Sequence, residues 1–308
     1  MKYRKFGKLD WKPSALGFGA MRLPIIGKDT SKIDENHAIK MIRYAIDNGV
    51  NYLDTAYVYH RENSEVTVGK ALKDGYREKI CLATKLPVRL VTKKEDLDRF
   101  FDTHLKRLQT DYIDFYLLHG LRESRWSQVK EFDIISWAEE KLAENKIRYL
   151  GFSFHDNLQL FKEIVDYHDW TFCQIQLNYM DIDYQAGLAG LKYASDKGLA
   201  VVVMEPIKGG KLAVTPPKEV QEIWDRAETK RTPAEWALQW VWNQPEVSLA
   251  LSGMSEMKHV IENVVYAGRS GPGSLNADEL ALFEEVKEAY ERLGFVGCTA
   301  CQYCARAH

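Results

Sequence analysis

Short runs of apolar and β-branched residues alternate along this chain with longer stretches in which apolar positions recur at three- and four-residue steps. The short runs are ALGFGAM (15–21), NYLDTA (51–56), ICLATKL (80–86), YIDFYLLH (112–119), IRYLGFSF (147–154), TFCQIQL (171–177), LAVVVMEP (199–206) and VSLALSG (247–253), and each predicts a strand. Between them lie helical patterns. In EDLDRFFDTHLKRL the stripe is Leu97, Phe100, Phe101, His104, Leu105 and Leu108. HAIKMIRYAIDNG repeats the pattern and closes on Gly49, a helix stop, and SWAEEKLAENK shows it again. TPAEWALQWVWN opens with Thr232 as an N-cap and Pro233 in the first helical position.

Strands that are apolar along their whole length, each followed by a helix, imply a parallel sheet covered on both faces. Such a repeat builds either a closed (β/α)8 TIM barrel or an open doubly wound sheet. An open dinucleotide-binding sheet calls for G-x-G-x-x-G after its first strand. Here that strand runs GFGAMRLP, with no third glycine in the pattern and no helix directly after it. A barrel instead collects its chemistry at the C-terminal ends of several strands, and polar residues stand there in this chain. The barrel is therefore the expected α/β fold, over residues 1–294. The leading segment KYRKFGKLDWKPS reads as a short hairpin that plugs the barrel floor, and TPP (215–217) and GRSGPGSL (268–275) read as surface loops.

Composition narrows the function classes. The 308 residues carry a formal net charge of -2 and are 45% hydrophobic, enough for one large core and without the basic footprint of a nucleic-acid or membrane binder. No apolar run approaches the roughly 20 residues that span a bilayer, and MKYRKFGKLDW lacks the apolar centre of a signal peptide. A cytoplasmic protein is expected. Of the five cysteines, Cys81 and Cys173 sit inside apolar runs as small buried hydrophobes, whereas Cys298, Cys301 and Cys304 crowd the end of the sequence.

Four residues at the expected barrel mouth have matching chemistry. Asp54 ends the second strand, Tyr59 follows by five residues, Lys85 ends the third strand and His119 ends the fourth. A tyrosine hydroxyl can protonate a carbonyl oxygen as hydride reaches the carbon, although its ordinary pKa of about 10 makes it a reluctant acid. A neighbouring Lys85 ammonium would stabilise the phenolate, Asp54 would hold that ammonium charged and oriented, and His119 would position the carbonyl oxygen. This relay needs no metal. Each residue alone has an ordinary structural explanation, as a helix cap, a solvated lysine or a core histidine. Their joint appearance at consecutive strand ends favours the catalytic set.

The segments DTAYVYHRENSEVTVGKAL, LATK, TDYIDFYLLHG, YLGFSFHD and CQIQLNYMD resemble the aldo-keto reductases over roughly residues 1–265. The resemblance implies a (β/α)8 barrel, bound NADPH or NADH, and reversible reduction of an aldehyde or ketone. It places Asp54, Tyr59, Lys85 and His119 on the family's catalytic tetrad, with Tyr59 as general acid. Ser153 and Gln174 match the residues that bond the nicotinamide carboxamide. Phe154 departs from an asparagine common in relatives, and Met204 stands opposite the aromatic that stacks on the ring in many of them. Pro206, Ile207, Gly209 and Gly210 match the pyrophosphate loop. Gly19, Met21, Asp54, Gly253, Met254, Ser255 and Met257 complete the implied cofactor set, and Glu262 and Asn263 match residues that contact adenine. The lysine and arginine that many relatives place near Gly253 and His259 are missing, leaving Lys258, so NADH stands beside NADPH. The loop GLRESRW (120–126), with Trp126 and Tyr57, is expected to shape the pocket for a small carbonyl substrate, or equally to serve in packing.

The run CTACQYC places Cys298, Cys301 and Cys304 at the spacing of a ferredoxin-type 4Fe-4S motif, C-x2-C-x2-C-x3-C-P, and one branch of the family resembles this chain in carrying such an extension. Residues 295–308 are expected to begin that motif. Three explanations remain open: a chain that continues beyond His308, a cluster held by three thiolates, or a vestige or Cys3His zinc site that includes His308. If a cluster forms, an electron-transfer partner is implied, and the alternative function is an iron-sulfur electron-transfer protein using the barrel as a nicotinamide or flavin dock.

Overall fold

The computed structural model describes residues 1–294. Eight parallel strands close into a barrel in chain order: β1 (Leu16–Gly19), β2 (Tyr52–Asp54), β3 (Cys81–Leu86), β4 (Ile113–Leu121), β5 (Ile147–Phe154), β6 (Phe172–Gln176), β7 (Ala200–Met204) and β8 (Val247–Gly253). Closure is made by β1 on β8, with Gly19 beside Gly253. All eight runs expected from the sequence are strands, trimmed by a few residues at several ends. β4 is longer than its run and reaches Leu121, past a shift of register between Leu118 and Leu121.

Alternation along each strand separates two apolar clusters. Phe18, Leu53, Leu82, Tyr116, Leu118, Phe152, Cys173, Val201, Val203 and Ala250 face outward into the layer shared with the helices. Tyr52, Ala83, Phe115, Leu117, Phe172, Ala200, Val202, Leu249 and Leu251 fill the barrel itself. Because both faces are buried, the strands show little polar alternation in sequence. The helices that cover the outer layer follow their apolar stripes. Glu95–Leu108 buries Leu97, Phe100, Phe101, His104 and Leu108, and ends on Gln109 in the left-handed conformation. Pro233–Asn243 begins as expected, with the Thr232 hydroxyl accepting the Glu235 N–H.

The leading segment does close the floor, through isolated antiparallel bridges at Tyr3–Ser14 and Phe6–Leu9 and without a continuous ladder. Phe6 has no exposed surface and meets Phe115 at 5.0 Å, Phe172 at 5.8 Å and Trp11 at 5.4 Å between ring centroids. Gly7 lets the turn reach β7: its φ is +53°, and a Cβ there would lie 2.7 Å from the Ala200 nitrogen. Arg4 ties the segment to the chain just before β8 by donating to the carbonyls of Trp242 (2.6 Å) and Gln244 (2.7 Å). Phe6→Ala is expected to cost about 3–5 kcal/mol by opening the inner cluster at its base, and denaturant unfolding monitored by far-UV circular dichroism checks it. A loss below about 1 kcal/mol would show that the floor is not sealed by this ring.

Candidate active site

Strand alternation also decides what faces the barrel mouth. Two residues beyond the inner positions Gly17, Tyr52, Ala83, Leu117, Gly151, Phe172, Val202 and Leu251 come Gly19, Asp54, Lys85, His119, Ser153, Gln174, Met204 and Gly253. One mouth-facing ring thus gathers a residue from every strand, and each is among the residues expected from the sequence.

Within that ring, Lys85 has no exposed surface, and its Nζ lies 2.6 Å from both Asp54 carboxylate oxygens while donating to the Thr55 carbonyl at 2.8 Å. Burial pushes the Asp54 carboxyl up and the Lys85 ammonium down, and each charge opposes the other's shift. Tyr59 is 8% exposed, with its ring centroid 5.1 Å from Lys85 Nζ and 6.0 Å from the His119 ring, which it meets edge-on. His119 is held well below the ordinary 6.5 by burial first and then by Lys85, Arg125, His155 and Arg89, so the imidazole is neutral at neutral pH. Immediately after it the register of β4 shifts: Gly120 takes a φ of +62° and donates its N–H to Ser153 Oγ at 2.7 Å.

The turn that presents Tyr59 is strained. His60, Arg61 and Glu62 have φ values of 50°, 50° and 77°, a run of three non-glycine residues in the left-handed region. Side chains hold it there. His60 Nε2 accepts the Leu23 N–H (3.1 Å), which leaves the Nδ1–H to donate to the Thr30 carbonyl (2.8 Å), and Glu62 pairs with Arg107 at 2.5 Å.

Ser153 and Gln174 are register partners on β5 and β6. Gln174 is 2% exposed; its amide nitrogen points at the Met204 sulfur at 3.5 Å, and its Oε1 is buried without a hydrogen-bond partner. A buried acceptor without a donor is costly unless a ligand supplies one. The amide NH2 of a nicotinamide carboxamide is such a donor, so the residues present fit that group. After β7, Pro206 is buried and Ile207 half-buried, while Lys208, Gly209 and Gly210 all take positive φ. In this state the loop is folded on itself: the Gly210 N–H donates to the Ile207 carbonyl at 3.0 Å, and Lys208 pairs with Asp181 at 2.5 Å. Beyond β8, Gly253 lies against the aliphatic part of Arg22, Met254 is buried in the outer cluster, Ser255 is exposed, and Met257 begins the helix Met257–Gly268. Glu262 pairs with Lys258 at 3.7 Å, and Asn263 donates to Ser252 Oγ at 3.0 Å. Near β1, Gly19 is buried and Met21 half-buried.

Two aromatics considered as pocket walls are packing residues. Trp126 is 2% exposed, donates from Nε1 to Glu163 (2.8 Å) and meets Tyr167 edge-on, within the outer helix layer. Tyr57 turns onto Phe100 and His104 of Glu95–Leu108 and lies under Arg107. Two clusters were missed. Glu65 Oε1 lies 2.6 Å from both the Thr84 hydroxyl and His104 Nδ1, in a wholly buried group behind Lys85, with the carboxyl held low against burial by His104 first. The signal available for it was His104, a polar residue on an otherwise apolar helical stripe. Near His119, Arg125 donates from Nη1 to the Gly120 carbonyl, and Arg89 lies on the turn Val88–Leu90 after β3; their charges act on His119, and the sequence trace of the first is the arginine pair in GLRESRW. Cys298, Cys301, Cys304 and His308, with the whole segment 295–308, lie outside the described residues. Among the described residues no group of His, Cys, Asp and Glu could hold a metal, and no helix is long and apolar enough to cross a membrane.

The family model "Aldo/keto reductase family" matches residues 15–286, nearly the whole barrel. The chain belongs to the aldo/keto reductase family. An aldo-keto reductase from Bacillus halodurans, solved in its holo form, superposes with a TM-score of 0.75 at 30% identity, covering 93% of this chain and 96% of that one. A probable aldo-keto reductase 1 of Glycine max is 28% identical, over 84% of this chain and 82% of its own length. The NADH-specific methylglyoxal reductase of Escherichia coli (strain K12) is 25% identical, over 95% of this chain and 100% of its own length. This aldo/keto reductase is accordingly an NAD(P)H-dependent oxidoreductase, and the (β/α)8 barrel expected from the sequence is its fold.

The geometry of this reductase makes two stability predictions. Lys85→Met alone leaves a buried Asp54 carboxylate without its partner and should cost about 3–5 kcal/mol, whereas Lys85→Met with Asp54→Asn should recover a substantial part of that loss. Denaturant melts of the wild type, both single variants and the double variant check the cycle; strictly additive losses would contradict the pair. The second concerns pH. His119 is neutral in the fold with its pKa depressed from 6.5, so the unfolded chain takes up this proton first and stability falls as pH drops below about 6.5, by at most about 1.4 kcal/mol per pH unit from this group. Urea melts of wild type and His119→Asn across pH 7 to 5 should show a shallower acid slope in the variant.

Proposed function

We propose that this reductase converts an aldehyde or ketone to the alcohol, with Tyr59 as the general acid. The observation that carries the reading is the convergence of Asp54, Lys85 and His119 on Tyr59 at the mouth, with Lys85 Nζ 5.1 Å from the tyrosine ring and 2.6 Å from Asp54. When bound, the nicotinamide cofactor supplies hydride to the carbonyl carbon. Tyr59 Oη gives its proton to the carbonyl oxygen in the same reduction, so one hydride and one proton make the alcohol. Lys85 lowers the cost of the phenolate left behind, and Asp54 keeps Lys85 charged within a site that would otherwise discharge it. His119, neutral, donates a hydrogen bond to the carbonyl oxygen and fixes its position between the two rings.

Ser153 and Gln174 hold the carboxamide, Gln174 through its unpartnered Oε1, and Met204 lies beside the ring as a thioether contact. Pro206, Ile207, Gly209 and Gly210 form the pyrophosphate loop; engaging a phosphate there requires the turn bond between Gly210 and Ile207 to be exchanged. Gly19, Met21, Asp54, Gly253, Met254, Ser255 and Met257 line the remaining length, Met254 through its backbone because its side chain is buried, and Glu262 and Asn263 take the adenine end. Lys258, exposed and paired with Glu262, is a weak anchor for a 2'-phosphate, which leaves both NADH and NADPH as cofactors. Tyr59→Phe should lower kcat by about 100- to 10,000-fold while cofactor binding, followed by nicotinamide fluorescence, stays close to wild type. Carbonyl reduction at the wild-type rate would overturn the assignment.

A further inference from the structure

The wholly buried carboxylate of Glu65 takes no part in the proton relay, yet its bonds run to both elements that carry it. Glu65 is the second residue of the helix Ser64–Ala71, which is separated from the strained turn Tyr59–Glu62 only by Asn63. Its Oε1 accepts the Thr84 hydroxyl at 2.6 Å, and Thr84 precedes Lys85 on β3. Its Oε2 lies 3.5 Å from Arg107 Nη1, and Nη2 of the same guanidinium donates to Glu62 at 2.5 Å. One carboxylate therefore joins the strand end that presents Lys85 to the last residue of the turn that presents Tyr59. Ser64 makes the matching link to β2: its hydroxyl lies 2.9 Å from Thr55 Oγ1, and the Thr55 carbonyl accepts from Lys85.

The fold is shaped to keep this carboxylate in place. Gly69, one helical turn after Glu65, lets the helix Glu95–Leu108 come close: a Cβ there would lie 2.5 Å from the Arg107 carbonyl oxygen. That approach brings His104 and Arg107, three residues apart on one helical face, to the two carboxylate oxygens. His104 Nε2 is buried without a partner, so the hydrogen bonding of this imidazole is directed at Glu65. Desolvating a carboxylate offsets what its bonds contribute, and an apolar residue would serve packing as well. The charge acts on Lys85 instead. Burial pushes that ammonium down, and Glu65 opposes the shift after Asp54. The other titratable or charged groups around the pair are Tyr59 and His119 at the lysine, and His104, Arg107 and Tyr116 at the carboxylate.

We propose that Glu65 is a positioning residue for the reduction, one buried carboxylate that holds the strand end carrying Lys85 and the turn carrying Tyr59 in a fixed relation. This rests on the reductase reading above and adds a residue to its machinery. Full-length enzyme with NADH or NADPH, and 4-nitrobenzaldehyde as the probe, tests it. Glu65→Gln keeps the shape and removes the charge; kcat should fall about 10- to 100-fold while KM and cofactor affinity stay within about threefold. The alkaline limb of kcat should move to lower pH, because Lys85 then loses its proton sooner, a shift that a merely structural residue would not produce. Thr84→Val and Arg107→Met should each lower kcat by roughly tenfold, Thr84→Ser and Arg107→Lys should recover most of it, and neither loss should add in full to that of Glu65→Gln. An unchanged kcat and alkaline limb in Glu65→Gln, or full additivity of both partner variants with it, would overturn the proposal. If Glu65→Gln does not fold, the Thr84 pair decides, and a wild-type kcat in Thr84→Val overturns it. If the wild type oxidises neither cofactor with this aldehyde, methylglyoxal or glyceraldehyde, the reductase reading fails, and Lys85 itself then reports on Glu65. In carbon-13 spectra of lysine-labelled enzyme, with the signal assigned by its loss in Lys85→Met, the Lys85 titration midpoint should drop by about one pH unit in Glu65→Gln, and an unmoved midpoint overturns the proposal.

Discussion

A lysine ammonium with no exposed surface is the constraint around which the mouth of this barrel is arranged. Removing such a charge from water costs several kcal/mol, so Lys85 is stable there only with close, oriented acceptors. Asp54 provides two carboxylate oxygens at 2.6 Å and Thr55 a carbonyl at 2.8 Å, all from the end of β2, the strand beside β3. This requirement fixes the relative height of β2 and β3. The Thr55 hydroxyl in turn bonds Ser64, whose hydroxyl bonds the Ala20 carbonyl after β1, so the pair is braced through three successive strand ends. Glu65, fully buried behind β3 and bonded to Thr84 and His104, adds a negative charge that favours the charged lysine.

The barrel supplies the rigidity that this arrangement needs. Ring packing from Phe6 at the floor through Phe115 and Phe172 leaves no room for the strands to slide, and a slip of one residue in any strand would exchange its mouth-facing residue for one from the outer cluster. Apolar packing at one end thus positions polar chemistry at the other. In β4 the alternation holds through His119 and breaks only after it, at the register shift and the positive φ of Gly120.

Much of this was legible in the sequence. The eight apolar runs became eight strands because parallel strands buried on both faces need no polar alternation, and Asp54, Lys85 and His119 stood out as polar residues ending such runs. Thr232 could be read as a helix cap because a capping hydroxyl acts on residues three positions away. Trp126 and Tyr57 were ambiguous for the opposite reason: whether an aromatic next to a strand end lines the mouth or the outer layer depends on the angle at which the following helix leaves. Glu65 with His104, and the arginines beyond His119, escaped because their partners lie on different elements and no spacing along the chain connects them.

The sequence by itself determined the repeating unit, the strand ends that carry chemistry and the order in which they follow one another, since these depend on local periodicity and on residue type. Only the tertiary structure decided which of those residues share a mouth, that Gln174 keeps an unsatisfied buried oxygen, and that the charges of Arg89 and Arg125 act on the same imidazole. Those facts depend on barrel closure, which brings together groups far apart in the chain through distances and burial that no single segment encodes.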